Sequence, residues 1–207
     1  MQTLLLVGLL LLNFAISWFN AYSIGRSWAD AKAVGGWPRF MTWCGGIMSA
    51  SGFTWCYLII MALSAGALGF LPPKYVKAAL ELGYVIIILP VLGSGLAIWM
   101  DSITTAWRER DAMSIGVAGW NTFAQVHNTY EAARILPGVL GDLSDVFDGD
   151  GDSDGDGALA LLAILVVIFA LAGGVLTTVM IVRSTARKYA GEVLDGKRSP
   201  GTQQRYA

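Results

Sequence analysis

The sequence predicts an all-α integral membrane protein with four transmembrane helices and an amphipathic outer helix between the third and fourth spans. Three observations carry this expectation. Four long apolar runs, residues 3–24, 41–70, 82–100 and 158–182, contain almost no charge. Each is long enough to cross a hydrocarbon core ~30 Å thick as a helix rising ~1.5 Å per residue. The mean hydropathy is +0.58, and 55% hydrophobic against 14% charged residues falls on the membrane side of ordinary globular composition. Finally, the runs lack the alternation of polar and apolar residues that surface helices of a soluble domain carry.

Taken in order, residues 1–24 form a first span that starts at the N-terminus. No basic residue precedes it and its apolar stretch exceeds a usual signal-peptide core, so it reads as a retained signal anchor. Asn13, Ser17 and Asn20 share one face of this helix, and an amide turned to lipid is costly, so that face should turn inward. Residues 25–40 form a short outer loop. The second span, 41–70, carries Gly45, Ser49 and Gly52 along one stripe, a pattern that lets two helix backbones approach closely. It also holds both cysteines, Cys44 and Cys56, which lie ~18 Å apart on one helix and cannot bridge each other.

Residues 71–81 form a cytoplasmic loop with Lys74 and Lys77. The third span, 82–100, contains Pro90 and Gly93, a combination that invites a kink, and Gly93 is a further expected helix-packing residue. An outer segment, 101–157, follows. Within it residues 113–135 read as an amphipathic helix, with Trp120, Phe123, His127 and Tyr130 at helical spacing and Pro137-Gly138 ending it. The fourth span, 158–182, presents Gly174 on a small-residue face. Residues 183–207 form a basic, disordered cytoplasmic tail.

Charge sets the expected orientation. Arg183, Arg187 and Lys188 follow the last span and two lysines occupy the 71–81 loop, so the positive-inside rule places both termini in the cytoplasm. Seven tryptophans, from Trp18 to Trp120, fall towards one side of the spans, as an aromatic belt at a membrane interface would.

The acidic residues are segregated too: seven aspartates lie between Asp142 and Asp156. Asp150, Asp152 and Asp154, followed by Gly155, match the opening of a calcium loop, with Asp148 and Asp156 as flanking oxygen donors. The twelfth position, where a bidentate glutamate belongs, is Leu161. Two readings are open: a weak extracellular-type Ca²⁺ site, or an acidic linker extended by its own repulsion.

Hydrolase, zinc-protease and phosphate-binding motifs do not occur in the sequence, so no enzymatic activity is expected. Nor is there a basic, aromatic-interleaved domain for nucleic acid. The topology resembles that of tetraspanins and claudins, without cysteines in the outer loops. It also resembles small inner-membrane proteins of bacteria and mobile elements. The expected partners are the lipid bilayer and other membrane subunits or further copies of the chain, and the expected role is structural, as a subunit of a larger assembly in a bacterial inner membrane. The alternative is a channel or transporter subunit, with Asn13, Ser17 and Asn20 lining a polar path along the first and third spans.

Overall fold

A computed structural model describes residues 2–34, 36–147 and 156–194. The chain forms five helices: α1 (Gln2–Val34), α2 (Gly36–Ala67), α3 (Pro73–Glu109), α4 (Ala112–Phe147) and α5 (Asp156–Leu194). Four of them, α1, α2, α3 and α5, are long and apolar enough to cross a membrane. The fold class read from the sequence is therefore observed.

The helices extend beyond the apolar runs that nucleate them. The expected loop at 25–40 is almost wholly helical, because α1 continues to Val34 and α2 starts at Gly36. Gly36 has a positive φ of 60°, which glycine adopts without the Cβ penalty that other residues meet there. The 71–81 loop is likewise short: Pro72 caps α3 and Pro73 begins it, the helical position where a missing N–H costs nothing. The basic tail is helical through Leu194, so Arg183, Arg187 and Lys188 belong to α5. Residues 195–207 lie outside the described residues.

α2 and α5 form the centre. They run antiparallel, with Gly174 of α5 against the backbone of α2 near Ala50 and Thr54. One core cluster joins them to α3: Leu58, Leu71, Tyr75, Ala79, Val167 and Ala170 are all buried within it. α1 packs on one side of this pair and α3 on the other. α1 begins at the end where α2 finishes and α3 and α5 begin, here called the N-end. At the opposite C-end, Tyr22 of α1 meets Tyr189 of α5 through their hydroxyls at 2.7 Å, and the Trp37 indole of α2 donates to Asp101 of α3.

α4 corrects the expected course of the chain. Arg110 takes a left-handed conformation that closes α3, and the Asp111 carboxylate then accepts from the backbone N–H groups of Met113 and Ser114, both at 2.9 Å. That is a side-chain N-cap, satisfying donors the first turn leaves open. This tight reversal sends α4 back along α3. Pro137-Gly138 does not end the helix, which continues to Phe147 with Pro137 inside it. Pro137 is exposed, whereas Val139 and Leu143 beyond it are buried against Ala78. That contact holds the helix past the break. The segment 101–157 thus leaves from the C-end and returns to the N-end, and Gln2 and Leu194 lie at opposite ends of the bundle.

Candidate interaction surface

The polar residues of the first span are taken up in helix–helix contacts. The Asn13 amide donates to the Gly52 carbonyl at 3.0 Å and to Cys56 Sγ at 3.3 Å. Ser17 donates to the Asn13 carbonyl of its own helix at 2.8 Å. Ser49 donates to the Ser17 carbonyl at 2.8 Å and approaches Thr178 Oγ1 at 3.4 Å, drawing α1, α2 and α5 together. Asn20, one turn on, is half-buried. The third helix of the expected path is elsewhere, because α1 and α3 share no substantial interface and lie on opposite sides of α2 and α5. The geometry joins Asn13 and Ser17 into a seam.

The small-residue stripes serve the same bundle. A Cβ on Gly52 would collide with Ser17 Oγ, one on Gly174 would lie 2.6 Å from the Thr54 nitrogen, and one on Gly45 would press on Ile24 at 3.1 Å. Ser49 is fully buried between them. Gly93 differs: nothing lies within 4 Å of a Cβ built there, so it packs against no helix. Gly45, Gly52 and Gly174 thus serve packing within this bundle.

What remains outward is the α3–α4 edge. Trp99 Nε1 donates to Thr122 Oγ1 at 2.9 Å. The Gln125 amide lies over Gly95 and donates to the Leu92 carbonyl at 3.4 Å. Ala78, Val139 and Leu143 form a small buried cluster, joined by Leu82, Val85 and Ile135. Lys77 of α3 pairs with Asp142 of α4 at 2.7 Å and with Glu81 at 3.5 Å. The Lys77 ammonium holds the Asp142 carboxyl below the usual carboxylate range. Because Lys77 and Asp142 are both well exposed, this clasp contributes little to stability.

α4 is distributed inside-out. Ser114, Ala118 and Ala132 are buried and Thr122, Gln125 and Asn128 are half-buried, whereas Trp120, Phe123, Val126 and Tyr130 are each more than 60% exposed. His127 is also exposed and stacks on Phe123, with ring planes 4° apart. Arg134 pairs with Glu131 one turn on. No known protein family, characterised protein or solved structure matches the chain. The surface therefore has to be read from its own chemistry.

Beneath the α2–α3 turn an open groove of about 430 Å³ is lined by apolar residues with Lys77 and Glu81 at its rim. The expected calcium ligands Asp148, Asp150, Asp152 and Asp154 lie outside the described residues, and Asp156 begins α5. Among the described residues no group of three metal-ligating side chains gathers. The sequence missed the Trp99–Thr122 and Lys77–Asp142 pairs. Both couple residues far apart in the chain, and only an antiparallel α3–α4 register brings them together.

Proposed function

We propose that the protein is a structural subunit of a larger membrane assembly, with the outward face of α4 as its docking edge. One observation carries this reading: His127 and Tyr130 lie exposed on a peripheral helix packed along the apolar part of α3. Ionisable groups at such depth are costly against hydrocarbon and are ordinarily turned towards protein. Of the described helices only α3 gives α4 a substantial interface, which leaves this row for a neighbour. The neighbour is a membrane helix, and a second copy of the chain is the first candidate.

In the same reading the tryptophans at the C-end form an interfacial belt, the host membrane is a bacterial inner membrane, and the 148–156 aspartates hold a weakly bound calcium ion. Millimolar calcium should then slow protease cleavage within 148–156 in the native chain but not in an Asp150→Asn, Asp152→Asn variant. The assembly itself is tested by particle mass after extraction into lipid nanodiscs without detergent. A protein mass at a multiple of 22.1 kDa, falling on combined His127→Leu and Tyr130→Leu substitution, supports it. A single 22.1 kDa chain in native lipid overturns it.

A further inference from the structure

We infer that α4 crosses the bilayer beside α3, so that the protein has five membrane crossings and its two ends emerge on opposite sides. Contacts between the two helices run from Trp99–Thr122 at the C-end to Lys77–Asp142 at the N-end. At ~1.5 Å per residue these anchors are about 33 Å apart on α3 and about 30 Å apart on α4. The two lengths agree, as they must for helices lying side by side, and both match a hydrocarbon core ~30 Å thick. A helix lying flat on the membrane would meet α3 at one point only. Nearly all of the apolar part of α3, residues 82–98, falls between the anchors. If α3 spans, its partner in this register is at the same depth.

Polarity gives a second, independent indication. A surface-lying amphipathic helix turns polar residues to water and apolar residues to the bundle or lipid. α4 does the opposite through its first four turns: Ser114 is buried, Thr122 and Gln125 bond to α3, and Ile115, Trp120 and Phe123 face outward. Such a distribution suits a hydrocarbon surround, where polar groups must find partners inside the protein. It also explains why α4 is not among the helices that pass on length and hydropathy, since averaging over all faces hides an apolar face backed by a polar one. Arg134 does not oppose the crossing. Its neighbour Ile135 packs on the same Ala78–Val139–Leu143 cluster as Leu82, where the apolar stretch of α3 begins, so the guanidinium can snorkel to the N-end interface while paired with Glu131.

The inference stands apart from the proposed assembly, because it holds whether lipid or protein covers the outer face. Single cysteines placed in the full-length chain, with Cys44 and Cys56 replaced by alanine, test it. Gly141→Cys lies near the end of α4 in open space, Phe70→Cys is exposed in the α2–α3 turn and Arg108→Cys is exposed at the end of α3. A membrane-impermeant maleimide applied to sealed vesicles should give Gly141→Cys and Phe70→Cys the same sidedness, and Arg108→Cys the other. Protease protection of terminal tags on the native chain provides a check free of cysteine replacement, with the two tags expected on opposite sides. Gly141→Cys sharing the sidedness of Arg108→Cys, or both tags digested from one side, overturns the fifth crossing.

Discussion

At the scale of single residues, the bundle depends on where a Cβ is missing. Gly174 brings α5 onto the backbone of α2, and a Cβ there would lie 2.6 Å from the Thr54 nitrogen and 2.7 Å from the Ala50 carbonyl oxygen. Backbone atoms cannot swing aside, so the helices would have to separate. Gly174→Val should therefore cost ~1–3 kcal/mol or more of unfolding free energy in detergent, the range for overpacking a tight interior. Gly93→Ala is the matched control, because nothing lies within 4 Å of its Cβ, and its unfolding should be unchanged or slightly more stable from the gain in helix propensity. Equal losses at the two sites would show that close approach at Gly174 is not what holds α2 to α5. The sequence disclosed small residues in both spans that hold these glycines. It did not distinguish them, because spacing identifies a face and only the neighbouring helix decides whether that face is used. Asn13 and Ser17 teach the same lesson: their inward orientation was legible, but their partners Gly52 and Ser49 come from the α1–α2 register.

At the scale of elements, four helices were legible because each carries a window apolar and long enough to span whatever its polar face. The course of α4 was not legible for the converse reason. Its polar face is turned to α3 and its aromatic face outward, so its composition resembles that of a helix at a water interface. Pro137-Gly138 added to the misreading. It is a sound stop signal in isolation, overridden here by the packing of Val139 and Leu143 on Ala78. The polar α3–α4 seam can be tested directly. Thr122→Val removes the acceptor of the Trp99 indole N–H, and interhelical hydrogen bonds between membrane helices average ~0.6 kcal/mol and reach ~1.7 kcal/mol. A loss within that span is expected for Thr122→Val in an unfolding assay. Thr104→Val should show almost none, because the exposed Thr104 hydroxyl donates only to the Met100 carbonyl one turn back on its own helix.

For the whole molecule, the order of packing implies an order of opening. α2 and α5 lie at the centre and each meets three other helices, whereas α4 is fastened substantially to α3 alone. Stability is not spread evenly through a fold, and elements with few buried apolar contacts open at lower free energy than the core. The α3–α4 apolar cluster comprises only Ala78, Val139 and Leu143 with their flanking residues, against the larger cluster that binds α2, α3 and α5. The exposed Lys77–Asp142 pair adds little to it. Hydrogen exchange in mild detergent should accordingly release the amides of α4 first, those of α1 next, and those around Phe53, Leu58 and Val167 last. An exchange pattern in which α4 and α5 open together would mean that the five helices form one cooperative unit. The measurement also bears on assembly: if the outward row of His127 and Tyr130 is covered by a neighbour in the native membrane, α4 should be protected there and lose that protection selectively when detergent strips the neighbour away.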